Sequence, residues 1–156
     1  MMGMIYTANL VGFSFANNGA VDLWEITAPT DAVVVLHSVY IGQDSDYADA
    51  QAEGLTVSLT RYATAGVNGT ALTPAPHDTG YAAAGSTVDK LNTTQGGTPT
   101  VVLSDSWNIQ IGWQYRPSPE ERIVISPGKI LAVELPDSPA DTIVIDSSIT
   151  FEEIGG

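Results

Sequence analysis

Cysteine is absent from this 156-residue chain and basic residues are scarce, and each shortage removes a class of function. Without cysteine there is no disulfide framework, no thiolate nucleophile and no Cys-ligated zinc. Five Lys and Arg stand against eighteen Asp and Glu, a formal net charge of -13, and the cations form no basic cluster. Phosphate backbones are held by grouped positive charge, so the sequence predicts no nucleic-acid partner. Anionic membrane surfaces are disfavoured by the same field. No window approaches the roughly twenty apolar residues of a membrane span. The N-terminal MMGMIYTANLVGF has no basic segment leading into a long apolar run, so the expectation is a soluble chain without a signal peptide.

Catalytic signatures are also missing. The only two histidines, His37 and His77, sit in no metal or triad pattern, and there is no G-x-S-x-G elbow or phosphate-binding glycine loop. The acid pairs Glu120-Glu121 and Glu152-Glu153 are adjacent, which on a strand sends them to opposite faces. The stretch 43–53, QDSDYADAQAE, offers Asp44, Asp46 and Asp49 as calcium ligands. It lacks the central glycine and distal glutamate of an EF-hand loop, and a short capped acidic helix is the better reading. The chain is therefore read as non-enzymatic, with no catalytic residue, no cofactor and no metal site.

Alternation is what the sequence does have. Residues 106–125 read SWNIQIGWQYRPSPEERIVI, with Trp107, Ile109, Ile111, Trp113 and Tyr115 in register at period two. That pattern predicts one long strand with both tryptophans facing the core, ended by Pro117, Pro119 and a charged corner. Further strands are predicted over 5–15, 21–27, 32–41, 55–62, 100–103, 130–135 and 141–152. In the first, Val11, Phe13 and Phe15 share one face; in the third, Val33, Val35, His37, Val39 and Ile41 share one face and Val34, Leu36 and Tyr40 the other. Apolar residues on both faces imply a cover on both sides, from a loop or another subunit. In the last strand Ile143, Ile145, Ile149 and Phe151 point inward, with only Ser147 interrupting.

Between 63 and 100 the composition shifts to Ala, Gly, Thr, Pro and Asn, over a length far beyond the usual connection of about five residues. Leu72, Tyr81, Val88 and Leu91 are spaced as hooks, so this segment is predicted to be an ordered, extended arm lying over a neighbouring surface. Asn68-Gly-Thr and Asn92-Thr-Thr match the glycosylation sequon, a pattern common by chance. Some eight to ten strands with regular turns predict a single all-β domain over 1–156. The expected architecture is an antiparallel β-sandwich, jelly-roll-like, with the arm inserted at 63–100 and at most one short helix.

Several segments together resemble a group of small tailed-bacteriophage virion proteins of the capsid decoration, or cement, type. They are APTDAVVVLHSVYIGQ at 28–43, SDYADAQAEGL at 45–55, NTT at 92–94, WNIQIGWQYRPSPEER at 107–122 and LPDSPADTIVIDSSITFEEIGG at 135–156. The resemblance implies a structural protein on the exterior of a phage head, made in the host cytoplasm. Its partner would be the major capsid protein, and its state a homotrimer. Val33, Val35, His37, Val39 and Tyr81 are the candidate subunit or capsid contacts, with a second set at the corner in Arg116, Pro117, Glu120 and Arg122. A carbohydrate- or receptor-binding sandwich on a fibre or tail is the alternative, in which Trp107 or Trp113 would be an exposed sugar platform.

Overall fold

The computed structural model describes residues 3–16, 19–45 and 53–155. Twelve strands are present among them: β1 (Met4–Phe15), β2 (Val21–Thr27), β3 (Ala32–Gln43), β4 (Gly54–Tyr62), β5 (Thr70–Leu72), β6 (Ala75–Pro76), β7 (Thr87–Asn92), β8 (Thr100–Asn108), β9 (Trp113–Tyr115), β10 (Val124–Ile125), β11 (Ile130–Leu135) and β12 (Ile143–Gly155). They form two six-stranded antiparallel sheets packed face to face as a β-sandwich. The first runs β10-β3-β12-β1-β6, with β9 also paired to β3; the second runs β5-β7-β2-β11-β4-β8. The predicted all-β sandwich is the fold observed. The acidic helix expected over 45–52 lies almost wholly outside the described residues.

Side chains of both inner faces make the core. Ile143, Ile145, Ile149 and Phe151 of β12 are fully buried, and they meet Leu23, Trp24 and Ile26 of β2 and Val133 and Leu135 of β11. Full burial of one such side chain contributes roughly 1.5–3 kcal/mol, so these three strands anchor the sandwich.

Four bulges interrupt the strand alternation among the described residues. In β1 the register slips between Leu10 and Phe13, where Gly12 takes φ 70°. Tyr6, Ala8 and Leu10 are therefore buried ahead of the bulge and Phe15 after it, while Val11 is 79% exposed. This corrects the face expected to hold Val11 with Phe13 and Phe15. In β3, Leu36 and Ser38 pair with the consecutive residues Phe151 and Thr150, which leaves His37 as the extra residue. Val34 and Leu36 are core before it and Val39 and Ile41 after it, so Val33 and Val35 turn outward. Two more slips sit at Leu23 of β2 and Val102 of β8. An inserted residue inverts the parity of everything beyond it.

Residues 106–115 are not one strand. β8 continues through Asp105 to Asn108, Asn108 Oδ1 accepts from Gln110 N at 2.9 Å, and Gly112 turns the chain at φ 81° into β9. The chain has crossed from one sheet to the other. Trp107 and Ile109 are buried at the end of β8, Tyr115 is buried on β9, Trp113 is half-buried, and Ile111 is 85% exposed at the crossing.

The segment 63–100 is not an arm. β5 and β7 extend the second sheet through β2, and β6 pairs with β1 in the first. Val88 is core, Leu72 and Leu91 pack against it, and the Tyr81 ring lies 6.5 Å from that of Tyr6. The hooks fasten onto their own sandwich. The stretches either side of β5 and β7 meet in two bridges, Thr64 with Gly97 and Val67 with Thr94, making a clasp over the outer face of the second sheet.

Candidate functional site

Three places concentrate chemistry, and the first is the outer face of the β3-β12-β1 sheet. Its rows follow from register: Val124, Val35, Glu152 and Ile5 lie side by side across β10, β3, β12 and β1, and Val33 lies beside Ile154. Val124 is 46% and Ile154 41% exposed, with Val33, Val35 and Ile5 half-buried. This apolar group is interrupted by one polar seam. His37 Nε2 lies 2.9 Å from Glu152 Oε2, and Glu152 Oε1 accepts from Gly3 N at 2.9 Å. On the neighbouring row His77 Nε2 meets Thr7 Oγ1 at 2.6 Å, and Thr7 Oγ1 meets Thr150 Oγ1 at 3.1 Å. Both histidines thus occupy this face, each tied to a strand neighbour rather than to a third ligand.

The second place is a cleft of about 400 Å³ where the two sheets part between β8 and β9. Leu103, Trp113, Tyr115 and Ile123 supply its apolar wall, and Arg116 and Pro117 its rim. Trp113 Nε1 donates to Asp105 Oδ2 at 3.0 Å across the mouth, and this bond with the Ser106 amide holds the Asp105 carboxyl below its usual range. Tyr115 OH donates to Glu121 O at 3.1 Å, which pins the Pro-rich corner. Burial raises the Tyr115 hydroxyl above its ordinary value.

The third place was not foreseen. Beneath the 63–69 and 94–98 clasp, the outer face of the second sheet holds Asp22, Glu25 and Asn92, all at least 98% buried, beside Tyr62, Thr60 and Glu134. Tyr62 OH donates to Asp22 Oδ1 at 3.3 Å, Thr60 Oγ1 to Glu134 Oε2 at 3.3 Å, and Gly66 N to Glu25 Oε2 at 2.7 Å. Burial first, then the charges of Glu134 and Glu25, push Asp22 up to about 7; Glu25 is raised for the same first reason. Tyr62 is raised too, by burial and then by Asp22 and Glu134. The only available signal was length, since 38 small and polar residues between strands are enough to cover a second sheet face.

The predicted contact residues divide between these places. Val33, Val35 and His37 share the outer sheet face, whereas Val39 is fully buried in the core and cannot touch a partner. Tyr81 is half-buried against Tyr6 at the β6 margin. Arg116, Pro117, Glu120 and Arg122 come together at the cleft corner, around a single 3-10 turn at Pro119–Glu121; Arg116 and Glu120 are exposed. Arg122 is half-buried, and its Nε is buried without a hydrogen-bond partner. Asn92 of the second sequon is 1% exposed. Of the calcium reading, Asp46 and Asp49 lie outside the described residues, and among the described residues no group of three or more His, Asp or Glu could hold a metal ion. No protein family, curated protein or solved structure matches the chain.

Proposed function

We propose that the chain is a structural virion protein, a capsid decoration protein that binds the outside of a phage head and ties together neighbouring copies of the major capsid protein. The observation that carries this reading is the apolar outer face around Val33, Val35, Val124 and Ile154, unusual on a chain of net charge -13. Contiguous exposed apolar surface on a soluble fold marks a docking surface. A sandwich whose longest connection is woven into both sheets is a stiff spacer, which a shell-bracing protein needs. The acidic balance suits the outer side of a head, away from packaged DNA. In this reading the protein acts as a closed homo-oligomer, a trimer, with no enzymatic step and no cofactor.

The test is co-sedimentation of the purified chain with heads of the phage that carries it. Saturable binding that raises the temperature of head disruption is expected. A Val35→Glu, Val124→Glu double variant is expected to keep its fold and lose binding. Failure of the wild-type chain to bind heads would sink the proposal.

One observation favours the alternative of glycan binding: Trp113 is half-exposed at the rim of the cleft, beside Gln114 and Asp105. Its indole N–H is already engaged by Asp105, so a sugar would use the ring face alone. Saturable quenching of Trp113 fluorescence by glycans, lost in Trp113→Ala, would establish that reading.

A further inference from the structure

Open sheet edges are normally blunted, because unpaired N–H and C=O groups recruit other strands. Four margins here follow that rule. β5 has three residues, β6 two including Pro76, β9 three running into Pro117, and β10 two ahead of Pro127. Two are longer and are interrupted by only one bulge each. β8 is nine residues long, pairs only with β4 and has its bulge at Val102, and Val101 and Val102 are 56% and 41% exposed on it. β1 has its bulge between Leu10 and Phe13 and is covered by β6 only at Tyr6 and Thr7, which leaves residues 8–15 without a strand on that side among the described residues.

The backbone of both margins faces outward at known positions. Ser106 N donates to Asp105 Oδ1 rather than to β4, so it points away from the sheet. Residues two apart on an antiparallel strand point the same way, which turns Ser104 outward as well. On β1, Ile5 O accepts from His77 N of the β6 segment, so Ile5, Thr7 and then Asn9 present their backbone groups to the open side.

These edges lie at opposite ends of the sandwich. Trp113 bonds Asp105, and Arg61 Nη2 donates to Val124 O at 3.3 Å, so β4 and β8 stack over β9 and β10. Tyr6 OH donates to Ala82 O at 3.0 Å and Glu153 accepts from Gly85 and Ser86, so β1 and β12 stack over the entry to β7.

Charge singles out the same pair. Residues 1–21 and 91–104 carry no charged side chain. Two copies at -13 each repel through almost any other contact. Asp105 and Glu121 share the cleft wall with Arg116 and Val102 beside the β8 edge, so pairing β8 with β8 would bring two copies of those carboxylates together, whereas residues 4–15 of β1 carry no charge.

We infer that copies of this chain join head to tail by strand addition, the β8 edge around Ser104 in one copy pairing with the β1 edge around Asn9 in the next. A heterologous contact of this kind closes into a ring or grows as a fibre. The inference rests on the oligomer in the decoration reading and names how that oligomer is held. It is tested without capsids, and head binding is scored separately, so either idea can fail alone.

Ser104→Pro and Asn9→Pro each remove one outward N–H and leave the inward ladder intact, a substitution that edge strands tolerate. Light scattering is expected to show wild-type oligomers and to place each variant at the 16.4 kDa of one chain. Mixed in equal amounts, the variants are expected to form a dimer and nothing larger, because each retains the edge the other lacks. A wild-type chain monomeric up to its solubility limit would overturn the inference. So would an Asn9→Pro variant that assembles normally, or a mixture that stays monomeric. Circular dichroism checks that the variants fold; if either proline variant does not, Val102→Lys and Val11→Lys place a charge on the same edges and give the same readout.

Discussion

Trp24 of β2 donates its indole N–H to Ser147 Oγ of β12 at 2.8 Å, and Ser147 Oγ in turn donates to Tyr40 O on β3 at 2.7 Å. One hydroxyl in the middle of the core thereby ties the largest fully buried side chain of one sheet to two strands of the other. It also explains the one polar residue in an otherwise apolar strand face. Ser147→Ala leaves both a buried indole donor and a carbonyl without their partner, at a cost of about 1–3 kcal/mol for such a loss. Urea unfolding is expected to show a lower midpoint with an unchanged slope. A Ser147→Ala midpoint equal to that of the wild type would mean that the bond contributes nothing net.

The carboxylates under the clasp make stability depend on pH in an unusual direction. Asp22 is pushed up to about 7 in the folded protein by burial and by Glu134 and Glu25, against 3.8 when unfolded, and Glu25 is raised as well. The folded state therefore holds more protons than the unfolded state between those values. Their contribution to stability is fully present below about pH 4 and is lost as pH rises through about 7, by of order a few kcal/mol at most. The groups around Asp22 are Tyr62 on β4, Glu134 on β11, Glu25 on its own strand and the neutral Asn92 on β7, and no cation is among them in the described residues. Thermal unfolding across pH 4–8 measures it. Asp22→Asn keeps an acceptor for Tyr62 and is expected to flatten that slope and to raise the melting temperature at pH 8. An unchanged slope would place the linkage elsewhere.

The clasp itself supplies a third prediction. A Cβ on Gly66 would lie 2.7 Å from Thr94 O and 2.8 Å from Asn92 Nδ2, so Gly66→Ala cannot fit without moving backbone. Overpacking of this kind typically costs about 1–3 kcal/mol. Hydrogen exchange is expected to speed up at residues 63–69 and 94–98 while β12 keeps its protection. Uniform loss of protection would instead mean that the clasp and core unfold together.

Composition and alternation sufficed for the fold class, and for nearly every strand outside 63–100, because a half-buried strand must repeat at period two. Face assignments fail in β1 and β3, where one residue is inserted. Nothing in AVVVLHSVYIGQ announces that His37 is the extra residue, since valines fit both faces equally well, and the same holds for Val11 in NLVGFSF. The bulge is set by the partner strand, and a single strand does not display its partner. On the surface, Val33 and Val35 lie on the outer sheet face without Val39, which the alternation groups with them and which belongs to the core. The buried acids are invisible in the sequence because Asp22 and Glu25 read as ordinary solvent-side residues until a loop about forty positions further on folds over them.

The misread strand at 106–115 leads to the last prediction. Five alternating apolar residues masked a sheet-to-sheet crossing whose pivot is Gly112. Any side chain there is strained at φ 81°, and a Cβ would lie 2.8 Å from Ile41 O, a backbone atom of the strand that β9 pairs with. Left-handed backbone at a non-glycine residue costs roughly 1–2 kcal/mol before the clash is counted. Gly112→Ala is expected to pull β9 off β3, to break the bond from Trp113 Nε1 to Asp105, and to open the cleft. Trp113 fluorescence should shift to the red in this variant while Trp24 and Trp107, buried deeper, stay as they are. Asp105→Asn serves as the control: it weakens the Trp113 bond without straining the backbone, and is expected to give a smaller shift with no loss of β9 pairing. Equal effects from the two variants would mean that the hydrogen bond, and not the glycine, holds the crossing in place.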